Sequence, residues 1–555
     1  MADPPRLVLG PLLRHAGSHD ATIWVETDRP CTVEVLGTSA RTFCVAGHHY
    51  GLLCLEGLEA GCSIPYEVAL DGHSVWPEAG DPYPPCAIRT PSAGERLTVA
   101  FGSCRVTVPH APPYALTKDE DDRGREVDAL LALVERLRAQ PADEWPDVLL
   151  LLGDQVYADE VSPGTRERIE ARRGGREPRD GDAPLEEIAD FEEYTWLYQE
   201  AWSDPAMRWL LSTIPSAMVF DDHDVHDDWN ISQAWEEEVS RLPWWEDRIL
   251  GAYMSYWLYQ HLGNLTPAEL AEDRLLAELR ELDDGAQRLR EFARHAQQEV
   301  AGTRWSYRRD FGRTRLVVID SRAGRILEEG RRDMLSEEQW SWIEESVSGD
   351  FDHLLIGTTL PWLLSPGLHH LEAWNEAVCG GAWGRRAARV AEKLRQGVDL
   401  EHWAAFGRSF ARLTDLIREV ASGGRGTPPA SVIVLSGDVH HAYLAEAAFP
   451  GDGVRSAVVQ VVCSPVRNPL DARERRTLRL ALTTPARGIG RALARSAGVP
   501  PARVRWEFVQ KPTFDNQVGL LDLDGRRAHV RIEKTVPEEW RAPRLHASLA
   551  RSIAD

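Results

Sequence analysis

The stretch DDHDVHDD at residues 221–228 has the highest density of chemically active side chains in the sequence. Seven of its eight residues are ionisable, Asp222 and His223 among them, and it follows the apolar run MVF directly. Carboxylates packed this densely beside a buried strand repel one another unless a cation compensates their charge. The pattern favours a metal site, and the alternative is a solvated acidic loop.

Three other stretches carry donor groups of different types. GDQVY contains Asp154 and Tyr157, SGDVHH contains Asp438 and His440, and FGSC ends in Cys104. Taken alone, GDQVY is more typical of a structural turn than of a metal site, and a single cysteine is a weak signal. In SGDVHH, side chains two residues apart can converge on one ion from a single loop.

Together the four stretches form a mixed donor set of carboxylates, imidazoles, a phenol and a thiol. Phenolate and carboxylate favour a hard trivalent ion, whereas a ring of carboxylates alone favours calcium or magnesium. Two different metals bridged by one carboxylate would fit this set.

The elements that must position these groups are short apolar strands. Six apolar runs each end at a polar cluster: LTVAF, DVLLLL, SAMVF, RLVVI, HLLIG and SVIVL. After the first of these runs, the segment EVDALLALVERLRAQ has the apolar spacing of a helix. In α/β folds, ligand sites gather beyond the carboxyl ends of strands. We therefore expect the polar clusters to meet in space.

The rest of the chain divides by composition. Short strand-like runs separated by turns predict a small all-β domain over residues 1–95, closed by a proline-rich linker. A catalytic α/β domain is predicted over 96–535, with a helical, tryptophan-rich insert at about 160–300 and a C-terminal tail at 536–555. The tryptophans are expected to pack in the core, with a binding platform as the alternative. The segment FDNQVGLLDLDGRRAHVRIEK predicts a hairpin turning at Asp524-Gly525.

Charge and composition exclude several classes of function. The 555 residues contain 63 Lys and Arg against 87 Asp and Glu, a net charge of −24, which argues against nucleic acid as a partner. No run approaches the about 20 apolar residues that span a bilayer, and the N-terminus has no export-signal pattern. The eight cysteines have no C-x-x-C spacing and are expected to be reduced and mostly buried. We therefore expect a soluble, cytoplasmic protein, whose oligomeric state the sequence leaves open.

In chain order, FGSC, GDQVY, DDHD, IDSR, GTTLPW and SGDVHH resemble the motifs of the alkaline phosphatase D (PhoD-like) family of calcineurin-like metallophosphoesterases. The resemblance covers about residues 96–535, and the first 95 residues resemble the small β domain of that family. It implies an α/β fold, a two-sheet α-β-β-α sandwich preceded by an all-β sandwich of the immunoglobulin or fibronectin-III type.

The resemblance also implies a metal centre. It assigns to Fe(III) a set of four ligands: Cys104, Asp154, Tyr157 and His440. Asp154 would bridge to a second ion, calcium or another divalent metal, held also by Asp222 and Asp438. The wider superfamily has Asn where this chain has Asp222, and a further metal-binding histidine is not found at GTTLPW; His369 and His370 lie a few residues on and are not assigned.

The same resemblance makes His223 the group that faces the leaving group, and Arg105 and Arg322 phosphate contacts. It implies hydrolysis of phosphate esters, small molecules or polymers, by in-line attack of a metal-bridging hydroxide, with His223 as general acid. Two alternatives stay open: a phosphodiesterase acting on lipid, nucleotide or wall-polymer diesters, and a non-catalytic binding protein stabilised by metals.

An arginine-rich segment at residues 467–505 is not explained by this chemistry. It carries ten Arg against Asp471 and Glu474 and has a helical period. Three interpretations remain: a surface helix paired with the acidic faces of the protein, a basic lid that draws anionic substrate to the metal cleft, and contact with an acidic membrane surface.

Overall fold

The computed structural model of the protein describes residues 3–92, 94, 96–175, 178–179, 181–451 and 453–555. The strands of this part of the chain are numbered in chain order: β1 Leu7–Ala16, β2 Asp20–Thr27, β3 Thr32–Val35, β4 Thr38–Arg41, β5 Phe43–Val45, β6 His48–Glu56, β7 Ser63–Pro65, β8 Val68–Leu70, β9 His73–Trp76, β10 Ala87–Arg89, β11 Leu97–Gly102, β12 Val148–Leu152, β13 Ser216–Val219, β14 Tyr307–Phe311, β15 Thr314–Ile319, β16 His353–Thr358, β17 Ser431–Ser436, β18 Tyr443–Ala448, β19 Ala457–Val462, β20 Arg505–Phe508, β21 Gln517–Asp524, β22 Arg527–Lys534 and β23 His546–Ala554.

The α-helices of the described residues are numbered in the same way: α1 Ala129–Ala139, α2 Pro163–Arg172, α3 Phe191–Trp202, α4 Pro205–Thr213, α5 Gln233–Val239, α6 Trp245–Ser255, α7 Leu262–Asn264, α8 Pro267–Glu272, α9 Arg274–Glu281, α10 Ala286–Gln298, α11 Glu337–Ser346, α12 Pro366–Cys379, α13 Arg385–Gly397, α14 Gly407–Ser422, α15 Ala472–Ala481 and α16 Thr484–Ser496. A π-helical segment, Tyr256–His261, joins α6 to α7.

The N-terminal region is all β, as predicted. Its strands form two four-stranded antiparallel sheets, in the orders β1-β2-β6-β5 and β4-β3-β8-β9, and a two-stranded pair of β10 and β7. Inward-facing side chains such as Ile23, Val33 and Val68 form one buried core. β1, β2 and β6 are almost continuously buried, because one face of their sheet packs in this core and the other packs against the rest of the protein through Trp24 and Leu52.

Two larger sheets carry the polar clusters. The six-stranded sheet has the order β13-β12-β11-β21-β22-β23 and the seven-stranded sheet the order β14-β15-β16-β17-β19-β18-β20. In the first, β11, β12 and β13 are parallel; in the second, β15, β16, β17 and β19 are parallel. The predicted α/β class is therefore correct.

The predicted elements around these sheets are confirmed with small shifts at their ends. The helical run after β11 is α1, and β21 and β22 form the hairpin at Asp524-Gly525. Residues 536–555, expected as a tail, instead contribute β23, which pairs antiparallel with β22 and extends the six-stranded sheet. Pairing at this edge satisfies backbone groups that a free tail would leave to water.

One hydrophobic core joins the two large sheets. Leu150 and Leu152 of β12 share a buried cluster with Leu355 of β16 and Leu435 of β17. A second cluster covers the other face of the seven-stranded sheet with α11 and α14. Of the eight insert tryptophans, seven are buried and Trp244 is half-buried, which confirms their packing role.

Candidate metal centre and active site

Parallel strands bring the four polar stretches to the edges of the two sheets. Cys104 follows β11, Asp154 follows β12, Asp222 follows β13 and Asp438 follows β17. All four side chains are buried or nearly so. The prediction that these clusters meet is correct for the carboxylates: ligand atoms of Asp222, Glu401 and Asp438 lie within 4.8 Å of one another, and so do those of Asp154, Asp221 and Asp222.

Backbone conformation marks the same positions. Cys104, Asp154, Asp438 and His440 have φ angles of 57°, 52°, 66° and 50°. Left-handed φ is uncommon for residues other than glycine and costs energy that the surrounding structure must offset. Four of the six predicted metal ligands therefore lie in strained turns, an arrangement that clusters at functional sites.

Gly153 permits the close approach of two of these turns. Its φ is 106°, and a Cβ there would lie 2.6 Å from the Cβ of Asp221. No larger residue fits without moving the backbone that carries Asp154.

Asp224 fixes the turns after β12 and β13 relative to each other. Its carboxylate accepts hydrogen bonds from the backbone N–H groups of Asp154 (3.0 Å), Asp221 (2.9 Å) and Val156 (3.3 Å), and from Gln260 Nε2 (3.2 Å). Burial raises the pKa of Asp224 to about 7. Its place in DDHD was the available signal, but no pattern in the sequence assigned it a role.

Three carboxylate oxygens at the centre have no hydrogen-bond partner among the described residues. They are Asp154 Oδ1, Asp221 Oδ2 and Asp222 Oδ1, all buried; of these, Asp222 Oδ1 forms an ion pair with Arg322 at 3.2 Å. Burial raises the pKa values of Asp154 and Asp221 well above the usual range and also raises that of Asp222. Such oxygens are costly unless a cation occupies the space between them, so the residues fit a metal site.

A third group capable of holding an ion contains Asp222, His223 and Asp227. Asp222 belongs to all three groups, which makes it the central carboxylate of the cluster. Within the described residues, neither Cys104 nor His440 belongs to a group of this kind.

The thiol, phenol and imidazole of the predicted iron set lie around Asp154 and Asp438. Tyr157 Oη is 3.5 Å from Asp154 Oδ2 and accepts a hydrogen bond from Asn468 Nδ2 at 3.2 Å. Cys104 Sγ lies 3.6 Å from the backbone oxygen of Asp438. Burial, and then the neighbouring carboxylates, raise the pKa values of Cys104 and Tyr157 well above their usual ranges.

The imidazole of His440 is half-buried, and its desolvation lowers its pKa to about 3. A neutral imidazole is the form that binds a metal. The thiol and the phenol would have to lose protons on binding a cation, which couples metal affinity to pH.

His223 is held by a carboxylate that sequence reasoning missed. Its Nδ1 lies 2.9 Å from Asp159 Oδ2, and its Nε2 lies 3.8 Å from Asp227 Oδ1. Burial alone would lower the pKa of His223, but Asp159 more than offsets it and the pKa is raised well above the usual range. The ring is 21% exposed and lies 4.6 Å from the Tyr157 ring, so part of it is accessible to solvent.

The two arginines predicted to contact phosphate are engaged by the protein. Arg105 Nε bonds Asp128, the N-cap of α1, at 2.9 Å, and its NH1 bonds the carbonyl oxygen of Ala201 at 3.1 Å. Arg322 is fully buried. Its guanidinium contacts the carboxylates of four residues: Asp221, Asp222, Glu401 and Asp438. These partners favour charge compensation and positioning over contact with substrate.

A histidine outside every motif reaches the centre. His402 Nε2 lies 3.1 Å from Asp438 Oδ2, and its Nδ1 lies 2.6 Å from Glu372 Oε1 on α12. These contacts raise the pKa of His402 well above its usual range against the effect of burial. His369, in contrast, packs against Phe410 and Trp506. No sequence pattern could have found His402, because it stands 36 residues before Asp438 in a turn without a motif.

The site combines buried, partly unpaired carboxylates at strand ends with a histidine held by a carboxylate beside them. This combination is typical of hydrolases that use metal ions. Comparison with known families narrows this class. The model of the PhoD-like phosphatase family matches residues 134–489, and residues 4–88 match a domain of unknown function, DUF7800. The chain belongs to the PhoD-like phosphatase family, and this membership implies a phosphoric ester hydrolase.

A solved structure of PhoD has the same fold. It superposes with a TM-score of 0.61 at 13% identity, over 100% of this chain and 93% of that chain. A maltogenic amylase from S. marinus, with a TM-score of 0.15 at 8% identity over 95% of this chain and 76% of that chain, has no bearing on the fold. No curated protein sequence matches the chain. No helix in the described part of the chain is both long and apolar enough to cross a bilayer.

Proposed function

We propose that the protein hydrolyses phosphate esters with cations held by Asp154, Asp222 and Asp438. The observation that carries the proposal is the set of buried carboxylate oxygens without hydrogen-bond partners in the described part of the chain, grouped around Asp222. Bound cations supply an activated water and stabilise negative charge on the phosphoryl group. Arg322 pairs with Asp221, Asp222 and Asp438 and limits the repulsion among these three carboxylates, so that they stay close before an ion binds.

In this proposal His223 gives a proton to the departing oxygen. Asp159 bonds Nδ1, which orients the ring and stabilises its charged form, and the ring stays 21% exposed. General acids of this kind contribute typically about 10²- to 10⁴-fold to the rate.

We further propose that the cations differ. Cys104, Asp154, Tyr157 and His440 form the Fe(III) set, supported by the positive φ angles and by the position of Tyr157 beside Asp154. A divalent ion, calcium in the first instance, takes the oxygen-rich side with Asp438.

The finer description of the fold is also a proposal. The shared core between the two large sheets, with helices on the other faces, supports an α-β-β-α sandwich. The two antiparallel sheets of the N-terminal region, around their own core, support a sandwich of the immunoglobulin or fibronectin-III type. The proposed domains remain 1–95 and 96–535, the second with its helical insert.

The test is a hydrolysis assay on protein stripped with a chelator and reloaded with Fe(III) and Ca²⁺. We expect Asp222→Ala to lose bound metal and to lower turnover of p-nitrophenyl phosphate at least about 100-fold, because this carboxylate is common to every candidate group. Asp121→Ala is the matched control, since Asp121 pairs with the surface residue Arg123.

Parallel turnover of bis-p-nitrophenyl phosphate separates the monoesterase from the diesterase. Metal bound by the wild-type protein without turnover of either ester would refute the proposal and favour the non-catalytic alternative. Full activity of Asp222→Ala would exclude the proposed ligand set.

A further inference from the structure

The arginine-rich segment forms a helical hairpin on the surface. α15 and α16 are separated by Leu482 and Thr483, and we call residues 472–496 the basic hairpin. α16 packs on α12 through small residues: a Cβ on Gly490 would lie 2.9 Å from the carbonyl oxygen of Gly367. α15 has no buried residue. The hairpin is therefore anchored along one side only.

The hairpin is strongly basic and largely unneutralised. It carries seven arginines and one acid, Glu474, a charge of 7 − 1 = +6, on a chain of net −24. Arg475 bonds Asp119 at 2.6 Å. Across the described parts of the chain, the other six have no carboxylate partner and are exposed: Arg473, Arg476, Arg479, Arg487, Arg491 and Arg495. The expectation that this segment pairs with the acidic faces of the protein is therefore wrong for most of its arginines.

Two large apolar side chains protrude from the same hairpin. Leu480 is 64% exposed and Ile489 is 63% exposed; among the described large apolar residues, only Val390 is more exposed. Leu480 follows Arg476 by four positions and Arg473 by seven, so the three share the outer face of α15. Exposing these side chains costs free energy unless something covers them.

We propose that the basic hairpin binds the surface of an anionic lipid bilayer. Guanidinium groups pair with lipid phosphates, and Leu480 and Ile489 enter the apolar side of the interface. Charge complementarity carries the choice of partner, because the hairpin is a concentrated positive region on an otherwise acidic protein. Single apolar side chains among arginines match a bilayer interface better than a protein groove, which would require a contiguous apolar patch.

Binding here would also place the metal centre near the membrane. Asn468, four residues before α15, donates a hydrogen bond to Tyr157 Oη. Binding of the basic hairpin to a membrane does not require catalysis, so it can be tested independently of the proposed hydrolysis.

The experiment is flotation of the full chain with vesicles, either of phosphatidylcholine alone or of phosphatidylcholine mixed with phosphatidylglycerol. We expect binding to the anionic vesicles only, weakening as salt is added. Arg473→Gln, Arg476→Gln and Arg479→Gln combined should weaken binding by about tenfold or more. Leu480→Ser with Ile489→Ser should weaken it as well, because insertion is lost.

The controls change the same residue types elsewhere. Arg288→Gln, Arg290→Gln and Arg294→Gln remove three arginines of α10 that pair with Glu278, Asp247 and Glu246. Leu242→Ser with Leu282→Ser removes two exposed leucines of the insert. Both controls should bind as the wild type does, and unchanged circular dichroism establishes that every variant is folded.

Three results would overturn the proposal: no binding to anionic vesicles, equal binding to neutral vesicles, or equal weakening by the controls. A fourth result, sensitivity to the arginine variant but not to Leu480→Ser with Ile489→Ser, would mean that the hairpin binds anionic groups by charge alone without insertion, and would also overturn it.

Discussion

At the scale of single residues, the proposed role of His223 as a general acid predicts that the rate depends on the leaving group. Asp159 keeps the imidazole charged and raises its pKa, so it can protonate an alkoxide. His223→Ala should lower kcat for an alkyl phosphate about 100-fold or more, and much less for p-nitrophenyl phosphate, whose leaving group departs without a proton. Steady-state kinetics with both esters give the comparison.

His226→Gln is the matched control, because His226 lies in the same loop and hydrogen-bonds the backbone oxygen of Asp227. Equal losses on both esters in His223→Ala would leave that residue a ligand or a phosphate contact and remove its role as an acid.

If Tyr157 binds Fe(III), the protein should absorb visible light. A phenolate on Fe(III) absorbs in the visible range, and Tyr157 Oη lies beside Asp154. Iron-loaded protein should be coloured, and Tyr157→Phe should bleach or shift the band, whereas Tyr83→Phe, whose ring stacks on Trp209, should not. Colourless, iron-free protein with full activity would exclude the set of Cys104, Asp154, Tyr157 and His440.

At the scale of elements, the turn after β12 depends on Gly153. Gly153→Ala combines an unfavourable φ of 106° with a clash against Asp221, so it should displace Asp154 and lower metal content. We expect the free energy of unfolding to fall by about 3 kcal/mol or more in total. A strained φ alone would cost about 1–3 kcal/mol, and the clash adds to it. Urea denaturation and metal analysis measure both effects.

Gly330→Ala separates strain from the clash. Gly330 has a φ of 83°, and no described atom lies within 4 Å of the place that a Cβ would take, so only the conformational cost applies. Similar metal loss in the two variants would mean that the Gly153–Asp221 approach does not position the centre.

At the scale of the whole molecule, His48 joins the N-terminal region to the helical insert. Its ring nitrogens lie 3.0 Å from Glu26 and 2.9 Å from Glu192 on α3. Burial alone lowers the pKa of His48, but the hydrogen bonds to Glu192 and Glu26 more than offset it and raise the pKa to about 9.

Because the pKa of His48 is raised in the folded protein, its charged ring stabilises the fold. The stabilisation is complete below pH 6.5, the pKa of the residue in the unfolded chain, and is lost as the pH rises through about 9. We expect up to about 3 kcal/mol of unfolding free energy to disappear across that window. His48→Gln should be less stable at pH 6, and its stability should depend less on pH, whereas His73→Gln, at the exposed start of β9, should follow the wild type. If the free energy of unfolding changed with pH in the same way in the wild type and in His48→Gln, the proposed stabilisation by the contacts of His48 with Glu26 and Glu192 would be wrong.

Local patterns along the chain were enough to predict the α/β class, the strands that end at polar clusters, the family and the carboxylates Asp154, Asp222 and Asp438. These features can be predicted because buried strands are continuous apolar runs and strand ends carry polar turns. Helices within segments 160–300 and 467–505 were also correctly predicted from composition and period.

Interactions between distant residues became visible only in the folded chain. His402 reaches Asp438 across 36 residues, Asp159 reaches His223 across 64, and Arg322 is fully buried among four carboxylates. The exposed arginines of the basic hairpin were equally unpredictable, since pairing depends on which surface faces them. Local propensity fixes an element, but contacts between elements depend on how sheets and loops meet, and no period or spacing along the chain records that.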